Sequence, residues 1–212
     1  IGENFVVPCY GAWERFEDID FDRLPEQFVL KANHDSSGAT ICLDKKDFNY
    51  SEKSILFKKL LKRNYFYNLK EWPYKNIKRR ILAEEFLSDG TGTELRDYKF
   101  YCFNGKPEYM YCTNKGVHIR ENFYDMNFEP VNISHGYDRI ETPIKKPSGF
   151  EIMKELAAKL SKDIPFVRVD FFQIGEKVYF GEFTFYDWGG MKPFTNKDWE
   201  YKLGDLITLP SK

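Results

Sequence analysis

Alternating apolar and polar positions towards the end of the chain predict two β-strands joined by a turn. Residues 165–174 and 178–185 are rich in β-branched and aromatic side chains, and the intervening Gly175-Glu176-Lys177 is typical of a tight turn. Because successive side chains of a strand point to opposite faces, polar residues two positions apart share a face. We therefore expect a hairpin with one polar face.

The pairing register of this hairpin decides which polar residues meet. If the turn contains three residues, Ile174 pairs with Val178 and four polar side chains share one face. They form two opposed pairs, Arg168 with Thr184 and Asp170 with Glu182. Carboxylates that face each other repel, so we expect a cation between Asp170 and Glu182. Two hard oxygen ligands suit Mg²⁺ holding a phosphate, and the alternative is an exposed strand face on which Arg168 simply pairs with the acids.

Helical periodicity is visible in three segments. Residues 51–63 and 150–160 have apolar side chains at the i, i+3, i+4 spacing of amphipathic helices, and residues 196–206 predict a closing helix. Ser51 and Ser148 precede apolar runs and are the predicted N-caps. We expect the helix at 150–160 to pack against a sheet.

Further strands are predicted between the helices. Asn104-Gly105 is a hairpin turn signal between two alternating segments. Residues 1–27 and 114–146 show no clear period, and we expect an irregular opening and surface loops there. The other predicted strands are 27–31, 39–43, 81–87, 96–103 and 108–112.

Composition and charge restrict the class of protein. The 212 residues are 42% hydrophobic and 18% aromatic, which is enough for a substantial core. Lys and Arg total 32 against 33 for Asp and Glu, so a net charge of -1 gives no overall attraction to nucleic acid or to an anionic membrane. No apolar stretch reaches membrane-spanning length, and we expect a cytoplasmic protein. Four cysteines without CxxC spacing and three isolated histidines favour buried free thiols over zinc or disulfides.

Motifs along most of the chain resemble the ATP-grasp fold. They are Lys31 at a strand end, the small polar loop 34–38, the acidic strand 83–87, and the Arg-x-Asp and Glu-x-Thr strands of the hairpin. The resemblance implies an α+β fold in which two lobes with antiparallel sheets sandwich the nucleotide. Within this family, the segments most similar to the TupA group are 28–35, 70–78 and 181–186.

The resemblance also implies roles for individual residues, with ATP and Mg²⁺ as cofactors. Arg168 would be the catalytic cation, and the implied metal ligands are Asp170, Glu182 and Thr184. The implied ATP-binding residues are Lys31, His34, Ser36, Ser37 and Gly38 at the phosphates, Glu84, Glu85 and Leu87 at the adenine, and Asp97 at the ribose. Small residues suit a phosphate-binding loop because they let backbone N–H groups approach the phosphate oxygens.

Two features depart from the family pattern. Thr184 stands where the family usually has Asn, so one metal position falls to a hydroxyl or to water, and the number of Mg²⁺ ions stays open. The family's first phosphate lysine lies upstream of Lys31, and residues 1–27 offer no match, so we expect that part of the N-terminal region is missing. The implied organisation is a remnant of that region at 1–27, a small lobe at 28–87 and a large lobe with the metal site at 88–212.

Similarity to the TupA group implies an activity. That group is named for teichuronopeptide synthesis, and the resemblance implies a carboxylate-amine ligase in bacterial cell-surface polysaccharide biosynthesis. It would form an amide between small-molecule substrates through an acylphosphate. Gly189 and Gly190 would offer N–H groups to an oxyanion or form a simple turn. The alternatives are a sugar kinase on the same fold and a non-catalytic carbohydrate-binding module built from the aromatic residues.

Overall fold

The computed structural model describes residues 1–36, 38–89, 95–114, 118–142 and 144–209. The chain forms two compact units, one of residues 7–87 and one of residues 1–6 with 88–212. Each unit contains an antiparallel sheet with helices, so the α+β class is confirmed. Among the described residues, every helix is too short or too polar to cross a membrane.

The unit of residues 7–87 is built on a four-stranded antiparallel sheet. Its strands are β1 (Cys9–Trp13), β2 (Phe28–Ala32), β3 (Thr40–Cys42) and β4 (Ile81–Glu85), and its helices are α1 (Tyr50–Lys62) and α2 (Phe66–Leu69). The order across the sheet is β1-β4-β2-β3. The predicted strands at 27–31, 39–43 and 81–87 are thus confirmed with small shifts of their ends.

One face of this sheet forms the core of the unit. Phe28 and Leu30 of β2 are fully buried, as is Phe57 of α1, because these positions alternate along the strand and recur along the helix. Residues of the expected irregular opening also take part. Phe16 and Leu24 pack into the same core, and β1 pairs with β4. The opening was therefore wrongly expected to be irregular throughout.

Both predicted N-caps are wrong. Helix α1 is capped by Asn49, whose side-chain oxygen accepts a hydrogen bond of 3.1 Å from the backbone N–H of Glu52, and Ser51 lies inside the helix. The helix at 150–160 begins after Gly149 and has no side-chain cap. Ser148 instead accepts a hydrogen bond of 2.7 Å from Gln173, because it lies beside the strand that carries Gln173.

The second unit contains a seven-stranded sheet and two helices. Its strands are β5 (Asp97–Phe103), β6 (Lys106–Asn114), β7 (Arg120–Asp125), β8 (Pro130–Val131), β9 (Asp138–Arg139), β10 (Phe166–Ile174) and β11 (Lys177–Thr184), and its helices are α3 (Phe150–Leu160) and α4 (Lys197–Asp205). The order is β11-β10-β5-β6-β7-β8, and β9 pairs with β7 in parallel. The Asn104-Gly105 turn joins β5 and β6 as predicted, with both residues at positive φ.

The two faces of this sheet have different environments. On one face, Phe150 and Met153 of α3 pack against Phe100 and Val169 in a core cluster, as expected for the helix at 150–160. On the other face, the apolar cluster includes Leu203 of α4 together with Tyr101, Phe103, Tyr111, Phe123 and Ile133. Three of the four cysteines are buried and free as expected, but Cys9 is exposed.

The expectation of surface loops throughout residues 114–146 is wrong. Strand β7 lies in this segment and pairs with β6 over six residues. The strand escaped prediction because Glu121 is buried beside Phe123 and Tyr124, so charged and apolar residues do not separate between the two faces. A buried charge of this kind hides the alternation on which strand prediction depends.

The pairing of β10 with β11 differs from the predicted register at the turn. The turn has two residues, and Ile174 pairs with Lys177 instead of Val178. A β-bulge between Val169 and Phe171 then adds one residue to β11. The shift from the shorter turn is thereby cancelled, so Arg168 does pair with Thr184.

Candidate active site

Arg168 is the centre of a cluster of acidic side chains on the sheet face opposite α3. Its Nε and Nη2 donate to the two oxygens of Asp170 at 2.7 and 2.8 Å, and Nη2 also donates to Glu182 at 3.2 Å. Its Nη1 donates to Asp187. The guanidinium is nearly buried, with 9% of the side chain exposed. Asp170 and Glu182 therefore meet through Arg168, as in the alternative interpretation of the hairpin, but Arg168 and Asp170 are buried and do not lie on an exposed face.

The bulge determines how the two carboxylates approach each other. Asp170 faces the extra residue of β11, so it lies opposite Gly181 and Glu182 together and not opposite Glu182 alone. A Cβ at Gly181 would lie 2.9 Å from a ring carbon of Phe172 and 3.2 Å from the carbonyl oxygen of Asp170. Glycine therefore permits the close approach of the two strands at this point.

Lys99 is a second cation in the cluster and was not predicted from the sequence. It pairs with Asp170 across neighbouring strands, and its Nζ lies 2.6 Å from Asp170 Oδ2 and 3.4 Å from Asp97 Oδ2. Only 13% of its side chain is exposed. Asp97, which the family resemblance places at the ribose, is buried beside Lys99 and close to the carboxylates implied as metal ligands.

The two carboxylates implied as metal ligands differ in their protonation equilibria. Desolvation raises the pKa of Glu182 although 58% of its side chain is exposed, and the negative charge of Asp170 raises it further. Burial also opposes ionisation of Asp170, but Arg168 and Lys99 outweigh it and hold the pKa of Asp170 below its usual value. Ionisation is therefore favoured at Asp170 and opposed at Glu182, where Arg168 and Lys99 do not offset desolvation and the charge of Asp170.

A chain of hydrogen bonds holds Asp187, which accepts from Arg168. Asp187 Oδ2 accepts from the Tyr111 hydroxyl at 3.2 Å and from the Tyr101 hydroxyl. The Tyr101 oxygen lies 3.0 Å from His135 Nε2, and His135 Nδ1 lies 2.9 Å from Glu121. Burial raises the pKa of Tyr101 and of Tyr111 well above the usual tyrosine value, so both phenols stay neutral donors.

A strained turn places Asp187 at the end of this chain. The residues after it, Trp188, Gly189 and Gly190, have φ values of 50°, 65° and 69°. A left-handed tryptophan is uncommon and costs about 1–3 kcal/mol, and such strain concentrates at functional sites. The N–H of Gly189 donates to the carbonyl of Tyr186 at 2.9 Å, which leaves Gly190 as the better candidate for the oxyanion role expected of the pair.

The donor set at this cluster suits a magnesium ion that also binds phosphate. Three carboxylates, those of Asp170, Glu182 and Asp187, contact Arg168, and Asp170 also contacts Lys99, so among the described residues these carboxylates outnumber the two cations that hold them. Thr184 adds a hydroxyl 3.5 Å from Glu182. Within the described residues, no group of three or more His, Cys, Asp or Glu side chains is arranged to hold an ion alone. Mg²⁺ fits this set because it commonly takes one or two carboxylates and completes its shell with phosphate and water.

In the unit of residues 7–87, the structure brings together Lys31, one of the residues implied at the phosphates, and Glu84, one of those implied at the adenine. Lys31 Nζ lies 2.6 Å from Glu84 Oε2 on adjacent strands. Gly38 has a φ of 83°, and a Cβ there would lie 2.5 Å from Leu60 Cδ1, so glycine is needed at this end of the loop. Ser36 donates to the Tyr65 hydroxyl, and Ser37 lies outside the described residues.

The remaining candidates of this unit have less direct support. His34 is 1% exposed, and its ring nitrogens lie 3.3 Å from Asn33 Oδ1 and 3.0 Å from the Leu60 carbonyl. These contacts favour a structural role in holding the loop against α1. Glu85 ends β4, where its backbone N–H donates to the Pro8 carbonyl at 2.9 Å, and Leu87 lies two residues beyond the strand and is half-buried.

Comparison with models of known protein families identifies the family of this chain. A family model described as TupA-like ATP-grasp matches residues 1–208. This chain belongs to the TupA-like ATP-grasp family. The resemblance stated from the motifs is therefore confirmed, and the α+β architecture described above is an ATP-grasp fold. A search of curated proteins finds no match.

Solved structures share this fold. D-alanine–D-alanine ligase from Bacillus anthracis has 18% identity and a TM-score of 0.52 over 97% of this chain and 61% of the ligase chain. A structure of the same ligase complexed with ATP has 15% identity and a TM-score of 0.53 over 95% of this chain and 58% of the ligase. At this identity the similarity concerns the fold. The TupA-like chain spans about three fifths of the length of these ligases.

Proposed function

We propose that the protein is an ATP- and Mg²⁺-dependent ligase that joins a carboxylate to an amine. The observation that supports this most directly is the cluster in which Arg168 and Lys99 lie among four carboxylates. A cluster with surplus negative charge attracts a divalent ion, and the two buried cations suit the oxygens of a transferring phosphoryl group. Family membership and the ATP-containing ligase structure support ATP as the nucleotide.

We assign the metal to Asp170 and Glu182, with the Thr184 hydroxyl or water completing its shell. Both carboxylates accept from Nη2 of Arg168, so their oxygens are close to one another. A bound Mg²⁺ would supply positive charge to the phosphates of ATP. Arg168 would stabilise charge on the transferring phosphoryl group, and Lys99 would add a second cation on the same face of the sheet.

The proposed reaction has two steps. A carboxylate oxygen of the first substrate attacks the γ-phosphorus of ATP, ADP leaves, and an acylphosphate forms. The amine nitrogen of the second substrate then attacks the acyl carbon, the bond from that carbon to the phosphate oxygen breaks, and the nitrogen loses a proton. The products are an amide and inorganic phosphate. No side-chain nucleophile is needed, since positioning and electrostatic stabilisation supply most of the acceleration in phosphoryl transfer.

For the unit of residues 7–87 we propose contacts with the nucleotide. Lys31 would bind phosphate, Glu84 would accept from the adenine amino group with Glu85 and Leu87 nearby, and the loop ending at Gly38 would offer backbone N–H groups. Their support is the ion pair of Lys31 with Glu84 and the left-handed Gly38. Asp97 we now assign to positioning Lys99 instead of to the ribose, because it is buried beside that lysine.

The biological setting proposed for this activity is bacterial cell-surface polysaccharide or teichuronopeptide biosynthesis. Its support is the similarity to the TupA group over residues 1–208. The substrates would be a small-molecule carboxylate, such as a sugar acid or an amino acid, and an amine. We place the reaction in the cytoplasm because it would consume ATP.

Calorimetric titration with ATP, with and without Mg²⁺, tests the proposal. We expect Mg²⁺-dependent ATP binding by the wild type, and at least a ten-fold loss of affinity in Glu182→Gln, which keeps the shape of the side chain but removes a proposed ligand. The matched control is Glu151→Gln, which removes a carboxylate that pairs with Lys146 and Lys154 at 2.8 Å on the surface of α3.

The chemistry is tested by measuring ADP release with panels of amino acids and uronic acids, and by determining the mass of the product by mass spectrometry. Release that requires both a carboxylate and an amine, with an amide product, supports a ligase. Absence of ATP binding by the wild type would contradict the proposal. A phosphorylated sugar formed without any amine would show a kinase instead.

A further inference from the structure

A cavity of about 610 Å³ lies beside the Arg168 cluster, within the unit that carries it. Tyr101, His135 and Asp187 line this cavity, and the same three residues form the hydrogen-bonded chain behind Arg168. A molecule bound here would therefore contact Asp187, whose other oxygen accepts from Arg168. The volume is within the range of small-molecule sites, which is about 300–1,000 Å³.

Most of the cavity wall is aromatic or aliphatic. Helix α4 contributes Leu203 and Gly204, and Met191 and Pro193 come from the segment before it. Such a wall favours the apolar body of a ligand over a polyhydroxylated one. The aromatic lining residues besides Tyr101 are Phe103, Phe166, Phe185, Tyr186 and Phe194.

Two carboxylates of the wall can attract a cation, and one of them, Asp187, also accepts from Arg168. Among the described lining residues, Asp187 and Glu200 are carboxylates and Lys192 is the one Lys or Arg side chain. The Lys192 ammonium is already placed over two rings, 3.4 Å from the centre of Tyr137 and 4.4 Å from that of Trp188. Aromatic rings attract cations through their negative faces, so the rings and the carboxylates of the wall both attract a positively charged ligand.

We propose that this cavity binds the amine substrate, as an ammonium ion with an apolar or aromatic body and with its nitrogen directed at Asp187. The identification of the ammonium group with the attacking amine rests on the proposed ligase function. Bound in this way, the nitrogen lies next to the residue that contacts Arg168, beside the proposed site of the acylphosphate. The ammonium releases one proton to water before its nitrogen attacks the acyl carbon, and a second proton leaves as the amide forms. The apolar wall then selects among amines by the shape of their bodies.

A series of three small probes tests the preference for a positive charge and for an apolar body. The probes are phenethylammonium, 3-phenylpropionate, which has a carboxylate on a similar body, and ethylammonium, which lacks the ring. By calorimetry or protein NMR we expect phenethylammonium to bind at least ten-fold more tightly than either of the others. Equal or tighter binding of 3-phenylpropionate, or no binding of phenethylammonium, overturns the proposal.

A substitution that fills the cavity tests the location. Gly204 lines it, and a Cβ added there meets no atom within 4 Å, so the side chain of Gly204→Leu starts in open space, and the substitution replaces glycine within a helix. We expect it to weaken phenethylammonium at least ten-fold. The matched control is Tyr201→Leu in the same helix, where the side chain is 72% exposed and the affinity should not change.

Unchanged affinity in Gly204→Leu, with the fold verified by thermal unfolding, rejects this cavity as the site. The probes need no nucleotide, so the two proposals fail separately. Loss of the ammonium preference with intact Mg²⁺-dependent ATP binding rejects only the assignment of the cavity. Absence of ATP binding with a preserved ammonium preference rejects only the proposed ligase.

Discussion

At the scale of single residues, Asp170 has two roles that a substitution at this position would affect together. It is a proposed metal ligand, and it is also the carboxylate on which the buried cations Arg168 and Lys99 depend, at 2.7 and 2.6 Å. Two cations removed from water need a counter-charge, because an unpaired buried charge is expensive. A loss of activity in an Asp170 variant would therefore not by itself identify a metal ligand, whereas the more exposed Glu182 is a cleaner probe.

Asp170→Asn should destabilise the protein by about 3 kcal/mol at pH 7, the lower end of the cost of breaking a buried ion pair. Because the pKa of Asp170 is lowered in the folded state, its stabilising effect is present above the ordinary aspartate pKa of about 3.9 and is lost as the pH falls towards the folded value. Urea unfolding of both proteins without metal, from pH 7 down to pH 3, measures this difference.

The matched control is Glu108→Gln, which removes a carboxylate 3.2 Å from the exposed Lys106 and should cost much less, since surface pairs contribute little. Arg168, Lys99, Asp97 and Glu182 surround Asp170, and none of them is changed in either variant. A difference between Asp170→Asn and wild type that stays constant down to pH 3 would contradict the assigned charge.

Site residues could be predicted from the sequence only where their spacing along one hairpin placed them on the same face. Arg168, Asp170 and Glu182 were expected on one face, and the structure has them in contact. Lys99 was missed because a lysine at an alternating position resembles an ordinary outward-facing residue. Asp187 lies beyond the strand in a left-handed turn, and no periodicity connects it to Arg168.

At the scale of secondary structure elements, alternation predicted most strands but not their pairing. The number of residues in a turn fixes the register, and Gly175-Glu176-Lys177 permitted either two or three. The bulge opposite Asp170 then restored the expected pairing of Arg168 with Thr184, so the agreement at the base of the hairpin comes from two compensating differences. The sequence pattern of one strand does not reveal a bulge, because the extra residue lies on the other strand and becomes evident only when the two strands are paired.

The start of α1 provides a test at this scale. Asn49→Ala should destabilise the unit of residues 7–87 by about 1 kcal/mol, because the backbone N–H of Glu52 loses its acceptor at 3.1 Å. Ser51→Ala, the cap predicted from the sequence, should have no effect or stabilise slightly, since Ala is the better helix former. Chemical denaturation of the two variants decides between the caps, and a larger loss in Ser51→Ala would contradict the observed cap.

At the scale of the whole molecule, the motifs predicted the fold more completely than the periodicity did. The motifs from Lys31 to Thr184 indicated an ATP-grasp fold, and the family match covers residues 1–208. Periodicity alone left residues 1–27 and 114–146 without strands, although β1 and β7 each pair with a neighbour in a sheet. Pairing of this kind depends on residues far apart in sequence, which a local pattern does not contain.

The proposed function assigns Lys31 and Glu182 to the same ligand, Mg²⁺-ATP, so each assignment can be tested by the stabilisation that this ligand gives. A ligand at 100 times its dissociation constant stabilises a protein by about 2.7 kcal/mol, so Mg²⁺-ATP should raise the melting temperature of the wild type. Lys31→Met and Glu182→Gln should each reduce this rise at a fixed ATP concentration.

Lys58→Met is the control for charge, because Lys58 pairs with Glu17 on the surface of the same unit as Lys31. It should keep the full ligand-dependent rise. Comparing each protein with and without Mg²⁺-ATP removes any change in basal stability, such as the one caused by breaking the pair of Lys31 with Glu84. If Glu182→Gln loses the rise and Lys31→Met keeps it, nucleotide binding depends on the unit of Glu182 alone, and the role assigned to Lys31 is wrong.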